Sequence, residues 1–151
     1  MPQGILNDLH EDHEEVSGLI EQMINTNDGK ERGTIFKEMM SKLLAHSQAE
    51  QNVLYKKMEK SENEKSRTFA YEGENEHQIV EQQLQQMARA RNKASEQWTA
   101  QASVLKDLIE HHVEEEEDTG FSCAQSEFDG ETLEKMGDQF RKQKQKLLQE
   151  V

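Results

Sequence analysis

An all-α fold is what this sequence predicts, arranged as an up-down four-helix bundle with an additional C-terminal helix, and three observations carry the prediction. A single proline, at position 2, and only eight glycines leave long stretches with nothing to interrupt a helix. Runs of β-branched residues of the kind that build strands are almost absent. Apolar residues recur at alternating spacings of three and four through four long segments, which is the period of one helix face.

Each element follows from that period. Leu6, Leu9, His13, Val16, Ile20 and Met23 define α1, from about 5 to 26, closed by Asn27-Asp28-Gly29. Phe36, Met39, Leu43, His46, Glu50 and Val53 line α2, about 30 to 60. Ala70, Gly73, His77, Val80, Leu84 and Met87 line α3, about 64 to 92. Ser95 is placed to cap α4, which runs to about 126 with Trp98, Ala102, Leu105, Ile109, His112 and Glu116 on its inner face. After Asp129-Gly130 a tail with Leu133, Met136, Phe140 and Leu147 reads as α5, about 130 to 150, expected to pack across one end of the bundle. Short polar links make sequential helices antiparallel neighbours. Residues 1–151 are read as a single domain, with the bundle over about 5–126.

Composition narrows the function. A net charge of −13 opposes binding to nucleic-acid phosphates and offers no basic helix to an anionic membrane. No run of 18 apolar residues and no charged-then-apolar leader is present, so the expectation is a cytoplasmic protein. A lone Cys123 has no partner for a disulfide or a thiolate metal site, and reads as a packed or surface thiol.

The unusual feature is what occupies the apolar stripes. His13, His46, His77 and His112 take core slots on four different helices, and two of them carry a glutamate one turn later, as His46-x-x-x-Glu50 and His112-x-x-x-Glu116. An i+4 side chain lies on the same face about 6 Å along the axis, so each pair directs an imidazole and a carboxylate into one interior. Six polar groups left without partners in a core would each cost about 1–3 kcal/mol or more, and a chain with 32% hydrophobic residues has little with which to offset that. A pair of cations satisfies all six. His10 and His111 fall one residue off the seams and are expected at the flank. Within Glu114-Glu115-Glu116-Glu117-Asp118, spacing selects Glu116 as the ligand, with the adjacent Glu117 as the fallback and the rest as a solvated face. Tyr55, Tyr71 and the methionines read as packing.

Imidazole and carboxylate ligands without thiolate suit iron, manganese or zinc. Two non-haem irons are the expectation, each glutamate bridging both and two histidines capping each, with positions left for an oxo or hydroxo bridge and a small ligand. The paired Glu-x-x-His motif of ferritin-like sites does not appear in that role. A histidine-rich shell suits reversible binding of O2 or NO.

The segments Asp12-His13-Glu14-Glu15-Val16, His46-x-x-x-Glu50 followed by Val53-Leu54-Tyr55, Glu76-His77, and His111-His112-Val113-Glu114-Glu115-Glu116-Glu117 resemble the hemerythrin-like HHE cation-binding domain in order and spacing, over nearly the whole chain. The resemblance implies a four-helix bundle around a non-haem di-iron centre, with His13, His46, Glu50, His77, His112 and Glu116 as metal ligands. In the family's oxygen carriers a further histidine stands one turn before the α3 ligand; here that position is Gly73. Its missing side chain leaves either an open coordination position or a close helix crossing. The family's roles span O2 transport, sensing, NO and peroxide chemistry and iron handling. The function expected here is binding of O2, NO or a related small ligand in oxygen or oxidative-stress biology. Catalase-like decomposition of peroxide, or iron storage or donation, is the alternative. Whether the protein is an enzyme, and which residues would then be catalytic, the sequence leaves open, as it does the oligomeric state.

Overall fold

In the computed structural model, which describes residues 2–150, the chain is all helix and turn, without a strand among those residues. α1 spans Ile5–Asn25. α2 covers Gly29–Glu50, continues through a π-helical turn at Gln51–Tyr55 and ends on Lys56–Met58. α3 is Glu64–Ala88. α4 covers Glu96–Glu115, a second π-helical turn at Glu116–Gly120, and Phe121–Glu127. α5 is Gly130–Gln149. Four of the five helices begin on a side chain that accepts from their first free N–H groups: Asp28, Asn63, Ser95 and Asp129. α1 begins instead on Gly4, at φ +59°, where a Cβ would sit 2.2 Å from the Leu133 carbonyl oxygen of α5.

The apolar stripes are buried as their period requires, and they form two clusters. One gathers Leu6, Leu9, Val53, Leu54, Tyr55, Phe69, Ala70, Phe121 and the α5 residues Leu133, Met136 and Phe140. The other gathers Val16, Ile20, Phe36, Met39, Leu43, Val80, Leu84, Trp98, Leu105 and Ile109. α1 passes from the first cluster to the second, α2 returns, α3 goes out again and α4 returns. On every one of these four helices the change of cluster falls at the histidine of the stripe. The polar residues therefore form a layer between two apolar plugs, which shield it from both ends.

α5 departs from the expectation of a helix laid across one end. It lies along α1 and α2, contacting both over much of its length. Gly137 meets the backbone at Gly4 and Ile5, Arg141 reaches Asp8 at 2.6 Å, and Lys144 reaches Asp12 at 2.7 Å, so α5 advances in step with α1. Its amphipathic face, with Leu133, Met136 and Phe140 buried, finds more apolar surface in that groove than a bundle end would offer.

At the far end Arg32 is buried without a carboxylate. Its guanidinium donates to the carbonyls of Met23, Ile24, Thr26 and Lys93 and to the Thr99 hydroxyl, at 2.7–3.3 Å, and lies over the Trp98 ring. It ties the end of α1 to the link before α4. No helix among the described residues is long and apolar enough to cross a membrane.

Candidate metal centre

The four histidines and two glutamates picked out by the stripe converge in the polar layer. His13, His46 and Glu116 offer ligand atoms that all lie within 4.8 Å of one another, and Glu50, His77 and His112 do the same. Each trio draws two imidazoles from neighbouring helices, α1 and α2 or α3 and α4, and one carboxylate from outside that pair. Glu50 and Glu116 are fully buried.

Each imidazole is oriented by a contact on its outer nitrogen. Nδ1 of His13 meets Glu117 at 2.7 Å, Nδ1 of His46 meets Asp12 at 2.8 Å, Nδ1 of His112 meets Glu76 at 2.6 Å, and Nδ1 of His77 meets the Gln51 side-chain amide at 3.0 Å. On His13, His46 and His112 a carboxylate accepts from Nδ1, which fixes the ring and leaves Nε2 facing inward as a donor to a cation; on His77 the neighbour is the Gln51 amide nitrogen, which donates, so Nδ1 accepts there. The inward atoms then lie close: His13 Nε2 is 3.0 Å from Glu116 Oε1, His77 Nε2 is 3.2 Å from Glu50 Oε1, and the Nε2 atoms of His77 and His112 are 3.2 Å apart.

This is where the polar accounting fails to close within the protein. His13 Nε2, both carboxylate oxygens of Glu50 and Glu116 Oε1 are buried, and because the short contacts among them lack hydrogen-bond geometry none of these atoms has a hydrogen-bond partner. Such atoms are rare in folded interiors because each forfeits its hydration without return. Imidazole nitrogen and carboxylate oxygen, without thiolate, form a donor set that fits first-row divalent or trivalent cations such as iron.

The electrostatics without a cation are those of a compressed charge cluster. Burial, compounded by the neighbouring His112, pushes His77 down to about 3, so its imidazole is neutral. Burial acts downward on His112 as well, but Glu116 and Glu76 on either side outweigh it and hold its imidazolium up to about 10. Burial and the facing Glu116 raise Glu50 well above the usual carboxylate range. Burial would raise Glu116 too, yet His112 outweighs it and keeps that carboxyl well below the range.

Two π-helical turns mark the centre: Glu50 immediately precedes the first and Glu116 opens the second. A π-helical turn accommodates one extra residue in a helix, and such turns concentrate at functional sites. The first turn brings in Tyr55, which is fully buried, donates its hydroxyl hydrogen bond to Glu116 Oε2 and stacks on His77 with ring centroids 5.3 Å apart. Tyr55 thus belongs to the centre rather than to packing alone. It also decides the question at Gly73: a Cβ there would lie 2.7 Å from Cε2 and Cζ of Tyr55. The space one turn before His77 is occupied by the Tyr55 ring, so the close approach, and not an open position, accounts for the glycine. Gly120 repeats the arrangement, with the Phe69 ring 2.4 Å from where a Cβ would be.

The flanking residues fall where the stripe puts them. His10 is part-exposed and bonded to the second oxygen of Glu117 at 2.8 Å, while His111 is 66% exposed. Glu76, His111 and Glu115 come together at the surface, but Glu76 is already committed to His112. Cys123 is buried as a packed thiol, whereas Tyr71 is exposed, so the expectation that it packs in the interior does not hold.

The model of the hemerythrin HHE cation-binding domain matches residues 4–124, and the chain belongs to that family. A curated relative, a DNA nickase from Nostoc sp. (strain PCC 7120), is 26% identical over 144 residues, covering 93% of this chain. The chain spans only 39% of that protein's length. No solved structure gives a significant match.

Proposed function

We propose that the chain is an up-down four-helix bundle, with α5 added along α1 and α2, that holds two iron ions and binds O2, NO or a related small ligand at them. In this reading His13, His46, Glu50, His77, His112 and Glu116 would hold the ions. The observation that carries it is the set of buried, unpartnered atoms on His13, Glu50 and Glu116, all aimed into one layer. Iron would supply the open coordination positions at which a diatomic ligand or peroxide is taken up.

The rest is the work of the chain's own residues. Asp12, Glu76, Glu117 and Gln51 hold the imidazoles in place before any ion arrives. Val16, Leu43, Val80 and Ile109 roof the four histidines over a cavity of about 20 Å³, room for one molecule of roughly water's size. A wider groove between α2 and α3, of about 540 Å³, reaches His77 and Gln51 from outside. Apolar walls and a narrow cavity favour small neutral ligands and exclude bulk water.

Decomposition of peroxide is the second reading, favoured by one contact: the Tyr55 hydroxyl on Glu116 keeps an exchangeable proton at the buried centre. Nicking of DNA, the activity in the Nostoc relative's name, does not enter the proposal, because a charge of −13 does not complement a phosphate backbone.

The test is elemental analysis followed by anaerobic titration. About two irons per chain are expected, lost in Glu50→Ala and Glu116→Ala and kept in His10→Ala and His111→Ala. The ferrous protein should give an absorption band on exposure to O2 or NO that disappears when the gas is removed. Irreversible oxidation by O2, together with sustained O2 release from added peroxide, would replace binding with the peroxide reading. Iron at background level in the parent would overturn both.

A further inference from the structure

Among the four groups that orient the imidazoles, one is itself anchored by a cation. Asp12 spans two partners: its Oδ2 accepts from His46 Nδ1 at 2.8 Å and its Oδ1 from Lys144 Nζ at 2.7 Å. The second oxygens of the other two carboxylates meet histidines instead, Glu117 meeting His10 at 2.8 Å and Glu76 meeting His111 at 3.7 Å. Lys144 stands on α5, beyond the residues that match the family model. The same helix touches His46 a second time, through the edge of the Phe140 ring, at a centroid distance of 5.7 Å, and Lys144 lies over that ring at 5.4 Å. Gln143 to Asn52, at 3.1 Å, pins the register of α5 on α2. Asp12 is 14% exposed and Lys144 26%, so the pair is shielded from much of the solvent that weakens surface ion pairs.

We propose that α5 is a working part of the metal centre, with Lys144 a positioning residue that fixes the Asp12 carboxylate on His46 and so sets how firmly the His13, His46 and Glu116 trio holds its ion. The proposal rests on the metal-binding reading above. Its physical basis is that a carboxylate on Nδ1 orients the ring and strengthens Nε2 as a ligand only while that carboxylate keeps its own orientation. Lys144 holds the oxygen that His46 does not use. Without it Asp12 is free to turn toward solvent, and His46 loses its fixed orientation. The other trio has no contact with α5 of this kind, and its outer groups are Glu76 and Gln51.

The experiment loads the full chain with ferrous iron without oxygen and follows its release to a ferrous chelator. Two phases are expected from the parent, one for each ion. Lys144→Met should accelerate one phase roughly three- to tenfold, less than the 10–100-fold typical when a direct outer partner of a ligand is removed, and leave the other unchanged. Lys144→Arg should restore the parent rate. Lys146→Met removes the same charge from an exposed position on α5 and should change neither phase. In an Asp12→Asn background Lys144→Met should have no further effect, an outcome that general loosening of the fold would not give. Equal acceleration of both phases, or an undiminished effect in the Asp12→Asn background, would show that Lys144 supports only the fold. Unchanged release in Lys144→Met would overturn the proposal while leaving two-iron binding intact, whereas no iron in the parent would remove the reading beneath it.

Discussion

Tyr55 and Gly73 are one device built from two residues. The tyrosine ring fits because the glycine has no side chain, and the ring is held by the edge of Phe69, the face of His77 and the carboxylate of Glu116. Gly73→Ala gains about 1 kcal/mol of helix propensity. It also forces a ring with three fixed contacts to shift, an overpacking cost of about 1–3 kcal/mol, and weakens a hydrogen bond to a buried carboxylate, about 1–3 kcal/mol more. The net expectation is destabilisation on the order of 1–5 kcal/mol in denaturant unfolding, much reduced when Tyr55→Leu is present, as a double-mutant cycle would read. An additive cycle would mean that the ring and the glycine do not constrain each other. The six inward residues were legible because polar side chains in apolar slots violate a strong pattern. Tyr55 was not, because an aromatic residue beside a stripe looks the same whether its hydroxyl is satisfied by backbone, by water or by Glu116. Asp12 and Glu76 stand in the segments that carry the family resemblance, but neither they nor Gln51 showed a role there, since exposed-looking acids and amides are common on helices and only the fold brings these to Nδ1 atoms.

At the scale of elements, helices α1 to α4 follow their stripes closely because each stripe is long, and α4 begins on a cap that the sequence displays, Ser95. The π-helical turns escape such reading: one extra residue shifts the phase of a stripe by about 100°, which a tolerant period absorbs. The position of α5 was also hidden, because an amphipathic face declares that it is covered but not by what. Arg32 shows the same limit from another side. A basic residue near the start of α2 looks solvent-facing, yet it is 3% exposed and closes the carbonyls of two chain segments. Arg32→Met leaves those acceptors buried and unpaired, at about 1–3 kcal/mol for each that cannot find water. A total loss of about 3 kcal/mol or more is expected in chemical denaturation, since several of those acceptors go unpaired together. Iron content in the folded variant should stay at the parent level, since Arg32 is tied to the end of the second apolar cluster and not to the polar layer. Loss of iron in a variant that still folds would mean that the two ends are coupled.

For the whole molecule, a layer of six polar side chains between two apolar plugs makes folding and metal binding one equilibrium. Bound cations stabilise the native state by mass action, so removing them with a chelator should lower the melting temperature, and re-adding ferrous iron should restore it. The pH dependence follows from His112. In the metal-free protein Glu116 and Glu76 hold its imidazolium up to about 10, well above the ordinary value of 6.5. A raised folded value of this kind contributes stability that is complete below about 6.5 and is lost as pH rises through about 10. A cation needs the neutral imidazole and must displace that proton, so the two effects have opposite sign: over the same window the metal-free form weakens while metal affinity grows. Competition against a chelator between pH 6.5 and 8.5 should therefore show affinity rising about tenfold per pH unit for each proton displaced, once the chelator's own protonation is allowed for. Histidine ligands at their ordinary value would give a curve that levels off soon above pH 6.5. A plateau there would show that His112 carries no proton in the metal-free layer, and that Glu76 and Glu116 do not act on it as their placement at 2.6 and 3.4 Å requires.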